Sequence, residues 1–291
     1  MPAVESHVTD DVLYITFRRP AQLNAFTVAD LREITALVTQ PADQVRALVF
    51  AGEGTRSFSA GMHVDTFADL GPASARRVIG QVRDCLAAVR TTPLPTAAMI
   101  NGYCLGAAFE LALTCDLRVA TDDAQFGLPE VKVGIPSVAD AALLAAYVGL
   151  GRAKEIILTG DLYPAADLDR WGLLNRVVPR ADLEAETLGL LRRITRHTRT
   201  VLASQKRLFE VWQNTPLSEG IRVSTEEFAR VFEAPETLGQ VRSYRSSMRE
   251  RRGPAGLPGA GLSDAALPEG SPTPDQMRVR EVNETPAVVE P

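Results

Sequence analysis

The chain reads as an α/β protein with a helical extension, and three observations predict it. From residue 8 to about 180, short apolar or alternating runs take turns with runs whose apolar residues recur every three or four positions. From 182 to 251 only the helical pattern continues, heavily charged and without a strand candidate. From 253 to 291 the composition changes: GPAGLPGAGLSDAALPEGSPTPDQ is dense in Pro, Gly and Ser and has too little apolar surface to offset the entropy of ordering it. The expected organisation is a core over 1–190, a helical domain over 191–252 and a disordered tail over 253–291.

The elements follow in order. VLYITF (Val12–Phe17) alternates as a strand does, RRPAQLNAF forms a turn, and 27–38 is a helix with Thr27 as its N-cap. Residues 45–51 form a second strand and GEGTRSFSAG a loop. Residues 74–90 form a helix in which Val78, Val82, Leu86 and Val89 lie on one face. Thr96–Ile100 is a short buried strand, punctuated by Gly102 before a helix running to about Thr114. Residues 116–120 give another strand, 140–148 and 152–158 two helices with Asp140 as an N-cap, and 165–171 a short helix stopped by Gly172. No internal repeat of 20–50 residues stands out, so the familiar solenoids and propellers are not predicted.

Composition narrows the function. With 291 residues, 45% of them hydrophobic, the chain can bury one large core. A formal charge of −5 disfavours a polyanion-binding surface, so no nucleic-acid partner is expected. No apolar run reaches the roughly 20 residues that span a bilayer, because the longest candidates are broken by Glu110 and Asp140. No membrane association is expected, and the opening MPAVESHVTDDV lacks a secretory pattern, which predicts a cytoplasmic address. Cys85, Cys104 and Cys115 sit among apolar neighbours without metal-like spacing to the three histidines, and read as reduced core residues with no metal site.

Four segments carry chemistry. In 97–120, AAMINGYCLGAAFELALTCDLRVA, a buried strand turns into a helix opening with Gly106, Ala107 and Ala108. Small residues let a ligand approach the free N–H groups of a helix start, which stabilise an oxygen gaining negative charge; tight strand-to-helix packing asks for small residues too. Glu110 lies one turn on, among Phe109, Leu111 and Leu113. A carboxylate in such company is costly to desolvate and holds its proton more tightly, unless that position is an exposed one. In 124–136, AQFGLPEVKVGIP, Glu130 is the single acid, and two carboxylates on different elements can divide acid and base roles. In 56–67, RSFSAGMHVDTF, Gly61 permits a tight turn that aims the Met62 N–H inward, or else the stretch is an ordinary surface loop.

Taken together, RPAQLNAF, SFSAGMHV, AAMINGYCLGAAFELALTCDLRVA, AQFGLPEVKVGIP and LTGDLYPAADLDRWGLLNRVVP resemble the enoyl-CoA hydratase/isomerase (crotonase) family, in its order and near its spacing, over about residues 8 to 250. The resemblance implies a crotonase-type spiral of ββα turns over 1–190 with the acyl-CoA site. It also implies a helical trimerisation domain over 191–252, assembly as a homotrimer or a dimer of trimers, and an acyl-CoA thioester substrate. No cofactor is implied, coenzyme A entering as part of the substrate. The backbone N–H groups of Met62 and Ala107 correspond to the oxyanion hole, Glu110 and Glu130 to the hydratase acids, and Ala25, Ala60, His63, Val64 and Gly106 to substrate and CoA contacts.

The departures are specific. His63 replaces a common acid, and its alternatives are a third catalytic group or a hydrogen bond within the loop. Met62 is bulkier than the usual Ala, and SVADAALL replaces a Gly-rich stretch, with Asp140 either an N-cap or facing the acyl chain. Ser137 stands where the dienoyl-CoA isomerases carry an acid, which argues against that subgroup. Ala21 stands where many members have a basic residue near the CoA phosphates, a role left to Arg18 or Arg19. The implied activity is hydration of a trans-2-enoyl-CoA. The alternatives are Δ3-Δ2 isomerisation with Glu130 alone, another acyl-CoA lyase or hydrolase chemistry using Tyr103, Tyr147 or Tyr163, and a non-catalytic RNA-binding role that the net acidity disfavours.

Overall fold

A computed structural model describes residues 3–252, so the tail at 253–291 expected to be disordered lies outside the described residues. The chain runs β1 (Val4–Thr9), β2 (Val12–Phe17), α1 (Val28–Thr39), β3 (Ala47–Gly52), β4 (Ser57–Ser59), α2 (Pro72–Thr91), β5 (Thr96–Ile100), β6 (Tyr103–Leu105) and α3 (Ala107–Thr114). It continues through β7 (Leu117–Thr121), β8 (Gln125–Gly127), α4 (Leu144–Thr159), β9 (Tyr163–Pro164), α5 (Ala165–Arg170) and β10 (Arg176–Val178). Four helices follow: α6 (Leu183–Thr195), α7 (Arg199–Asn214), α8 (Leu217–Val231) and α9 (Pro235–Arg252). Everything up to Leu238 belongs to one compact unit, and the rest of α9 to a second.

The strands make two sheets. The larger has six, in the order β1-β2-β3-β5-β7-β10, with β1 antiparallel at one edge and the other pairs parallel. The smaller has four, β4-β6-β8-β9. Each turn of the chain lays one strand in the large sheet, one in the small sheet and then a helix: β3–β4–α2, β5–β6–α3 and β7–β8–α4. This is the predicted spiral of ββα turns. The alternation that marks β2 has a partner on each face: Leu13, Ile15 and Phe17 enter the main core with Leu48, Phe50 and Ile100, while Val12 and Tyr14 meet Val49, Ala97 and Leu191 of α6 on the reverse side.

Local chemistry sets the element ends. Asp10 and Asp11 both take positive φ, 49° and 60°, in the two-residue turn joining β1 to β2, and acidic side chains tolerate that region better than most. Thr27 caps α1 in a reciprocal box, accepting from the Asp30 N–H at 3.3 Å and donating its own N–H to the Asp30 carboxylate at 2.6 Å. β1, with five of its six residues exposed, shows no apolar pattern and is not visible in the sequence; its charged face suits a sheet edge.

Residues 140–158, predicted as two helices, form a 3-10 turn, Ala139–Leu143, and α4, whose two helical stretches meet at the non-helical Gly149 (φ 78°, ψ 157°), so the predicted break is present and only the first turn differs. Asp140 does not act as an N-cap. Its carboxylate lies 3.1 Å from Arg90 on α2, and the ion pair outcompetes the cap. All eight residues of α3 are buried, so its C-terminal carbonyls need partners away from water. Arg118 of β7 supplies them, donating to the Ala112 and Cys115 carbonyls at 3.2 and 2.8 Å while its guanidinium lies 4.5 Å over the Tyr147 ring.

Candidate active site

Two backbone N–H groups come together where β4 and β6 end. After β4 the chain bridges to Phe26, whose N–H donates to the Gly61 carbonyl at 2.7 Å and whose carbonyl accepts from His63 at 2.8 Å. That leaves the Met62 N–H on the opposite side, with no acceptor among the described residues. Gly61 adopts φ +80°, and a β-carbon there would fall 2.6 Å from the Leu105 carbonyl and 2.9 Å from the Ala107 nitrogen. Only glycine lets this loop abut the start of α3 so closely. Ala107 is the first residue of α3, and its N–H likewise has no acceptor among the described residues. Neighbouring Gly106 has φ 54° and ψ −133°, which aims the helix start at the cavity.

The two acids flank these amides. Glu130 sits in the 3-10 turn Pro129–Val133, and its Oε1 would lie 2.7 Å from a β-carbon on Gly106, while its Oε2 accepts from the Ser137 hydroxyl at 2.9 Å. Burial raises its proton affinity, opposed by hydrogen bonds from the Glu130 backbone and Ser137. Glu110 projects from the first turn of α3, is 4% exposed, and has an Oε2 without a hydrogen-bond partner among the described residues. Its carboxyl is pushed up to about 8, first by burial, then by the negative charges of Glu130 and Asp140, with the backbone N–H groups of Asp140 and Ala141 pulling the other way.

A cavity of about 620 Å³ opens onto this group. Its wall is apolar, from Phe67 and Leu70, Ile79 and Val82 of α2, and Ile135 and Val138, with Arg76 and Lys132 also on its lining. Of the residues singled out in the sequence, Ala60, Met62, Val64, Gly106, Ala107, Glu110 and Glu130 line it; Ala25 and His63 do not. The His63 Nδ1 stands 3.5 Å from Asp65, and the Ala25 carbonyl accepts from Arg19. Arg18 pairs with Glu5 and Glu53, and Arg19 with Asp30, so both arginines are engaged inside the chain. Tyr147 donates to the Leu113 carbonyl at 3.1 Å and serves packing. Sequence reasoning did not find the contact between Asp140 and Arg90, because nothing in either segment signals that α2 passes behind the turn.

Stacked ββα turns with paired parallel sheets, closed by a helical layer and opening a cavity at the start of a buried helix, define a crotonase fold. The family model for enoyl-CoA hydratase/isomerase matches residues 7–250. A probable enoyl-CoA hydratase of Mycobacterium tuberculosis is 34% identical over 222 residues, covering 75% of this chain and 85% of that protein. The crystal structure of an enoyl-CoA hydratase subunit I from Geobacillus kaustophilus superposes with TM-score 0.79 at 30% identity, covering 84% of this chain and 96% of that one. A putative enoyl-CoA hydratase from Thermobifida fusca, crystallised in complex with CoA, gives TM-score 0.72 at 28% identity over 79% of this chain and 93% of that one. The chain belongs to the enoyl-CoA hydratase/isomerase family.

Proposed function

We propose that the protein is an enoyl-CoA hydratase, adding water across the double bond of a trans-2-enoyl-CoA. One observation carries the reading: two unpartnered backbone N–H groups and two carboxyl groups of raised proton affinity line the same apolar-walled cavity. The thioester oxygen accepts from the Met62 and Ala107 N–H groups, and as water attacks Cβ the enolate charge develops where those amides point. Glu110 takes the proton of the attacking water, whose hydroxide oxygen bonds to Cβ. Glu130 gives its proton to Cα as the enolate collapses, so one water is added and the enzyme's proton count is unchanged. Turnover leaves the proton on Glu110, and its return to Glu130 through the next water resets the pair for another cycle.

Several features extend this reading. The relative crystallised with CoA supports an acyl-CoA thioester substrate, with coenzyme A arriving only as part of it, and Ala60, Val64 and Gly106, which line the cavity, are the contact positions. Helices α7 and α8 leave Phe209, Trp212, Ile221 and Phe228 exposed, with Leu217 80% exposed, which supports the 191–252 region as the contact layer of a homotrimer or dimer of trimers. No described helix is long and apolar enough to cross a membrane, and the proposed address is the cytoplasm.

The test is the loss of conjugated-thioester absorbance with crotonyl-CoA, repeated with longer, branched and aromatic enoyl-CoAs. Glu110→Gln and Glu130→Gln should each lower turnover by about 100-fold or more. Near-normal hydration by both variants would overturn the mechanism, and double-bond migration that survives Glu110→Gln without hydration would assign an isomerase.

A further inference from the structure

Glu130 and Ser137 meet across a short reversal of the chain. Pro129 opens the 3-10 turn that carries Glu130, and Gly134, at φ 80° and ψ 16°, ends it in the left-handed region that glycine enters without strain. The Ile135 N–H closes the loop onto the Glu130 carbonyl at 3.2 Å, so the chain runs back past the Glu130 side chain. There the Ser137 hydroxyl donates to the Glu130 Oε2 at 2.9 Å. Pro136 and Val138 line the cavity and Ser137 between them does not, as side chains alternate along an extended stretch; Val138 has φ −136° and ψ −160°. The hydroxyl therefore acts on a substrate only through Glu130.

We propose that Ser137 is a positioning residue for Glu130: by occupying Oε2 it holds Oε1 against the start of α3 and keeps the transferable proton on Oε1. The inference rests on Glu130 being the acid that protonates Cα. The last torsion of a glutamate is broad and its two oxygens are nearly interchangeable, so a half-buried carboxyl keeps one orientation only where a partner holds it. Among the described residues no cation pairs with Glu130 and no second side chain donates to it; Lys132, the base of its own turn, is paired with Asp161 at 2.8 Å. Oε1 lies against Gly106, so close that a β-carbon there would fall 2.7 Å from it. Ser137 donates to no other acceptor among the described residues, and a proton on Oε2 would strand its hydroxyl hydrogen. With the proton on Oε1 both groups are satisfied. As the Oε1–H bond breaks, the enolate electron pair forms the Cα–H bond, and the charge left on the carboxylate is what the Ser137 hydrogen bond stabilises. The same bond opposes the rise in Glu130 proton affinity that burial causes.

The experiment compares Ser137→Ala with Ser137→Thr, which keeps a hydroxyl. With crotonyl-CoA, Ser137→Ala should lose about 10- to 100-fold in kcat with KM within about twofold, because the acid remains but no longer holds its line to Cα. Ser137→Thr should recover most of that loss. In 13C NMR spectra of full-length protein labelled at its glutamate carboxyls, the Glu130 signal is the one missing from Glu130→Gln. Its titration midpoint should rise in Ser137→Ala, since the lost hydrogen bond favours the charged form, and stay near the wild-type value in Ser137→Thr. Loss of packing alone would not raise the midpoint of one carboxyl and would not be reversed by a hydroxyl. A kcat or a Glu130 midpoint unmoved by Ser137→Ala, or equal losses in the Ala and Thr variants, would overturn the proposal; Ser137→Gly serves if the Ala variant does not fold. The wild type separates the two readings. Hydration with both readouts unmoved removes this inference and leaves the hydratase, whereas a raised midpoint in a protein that hydrates no enoyl-CoA removes the hydratase and leaves Ser137 as the anchor of Glu130.

Discussion

Replacing Gly106 by alanine strikes the proposed oxyanion hole and the proposed acid pair together. Gly106 sits at φ 54° and ψ −133°, and an added β-carbon would lie 2.7 Å from the Glu130 Oε1. Holding a β-carbon in that region costs about 1–3 kcal/mol. Relieving the contact by turning Glu130 away breaks its 2.9 Å hydrogen bond from Ser137, worth about 1.5–3 kcal/mol when charge-assisted. Gly106→Ala should therefore lose about 2.5–6 kcal/mol of stability in urea unfolding. If the backbone yields instead, the Ala107 N–H turns from the cavity, and loss of one such donor lowers kcat by about 100- to 1,000-fold. Gly80→Ala is the control: its β-carbon would meet nothing within 4 Å on α2, so it should gain up to about 1 kcal/mol and leave kcat unchanged. Wild-type stability and wild-type kcat in Gly106→Ala would refute this account of the helix start.

Two further outcomes follow from buried charge. Because the native Glu110 carboxyl binds its proton more tightly than an unfolded one, the benefit of its neutral form is complete below about pH 4.5 and lost as pH rises through about 8. Urea midpoints should thus show Glu110→Gln gaining on the wild type between about pH 5 and pH 9, and parallel curves would contradict the assignment. Lys206, 9% exposed, donates to the Leu94 carbonyl at 3.0 Å and to Asp116 at 2.6 Å. Lys206→Met should cost about 2–4 kcal/mol in the same unfolding assay with KM for crotonyl-CoA unchanged, since it takes from Asp116 the one cation paired with it among the described residues, leaving it the two Thr96 donors, and does not alter the cavity.

What the sequence made legible is what repeats locally. Val12–Phe17 and Thr96–Ile100 are strands with the predicted ends because apolar patterning there is dense and continuous. Thr27 caps α1 because a cap is decided within four residues. The strands of the small sheet, β4, β6 and β8, have three residues each, too short for a period to register, and exist because they pair across some 20 to 45 positions of chain. The candidate site divides the same way. Small residues before Glu110 and the Gly61 turn mark chain directions that local sequence controls, and they do meet at one cavity. The ion pair of Asp140 could not be read, since its partner Arg90 lies fifty positions earlier, near the end of α2. Arg118, which closes the end of α3, was likewise only one residue of a predicted strand.

The order of strands in space repeats their order in the chain: β1, β2, β3, β5, β7 and β10 in one sheet, β4, β6, β8 and β9 in the other. Each new strand therefore joins an edge already laid down, and none has to be inserted between two neighbours. A chain leaving the ribosome can deposit its sheets as it is made, one ββα turn at a time, which shortens the interval in which parallel strands wait for a distant partner. The groups of the candidate site arrive on the same schedule: the Met62 amide with β4, Ala107 and Glu110 with the next turn, Glu130 with the one after. Until β9 and β10 pair with β8 and β7, the growing edge of both sheets stays open, and the nascent protein is a template for aggregation before it is an enzyme.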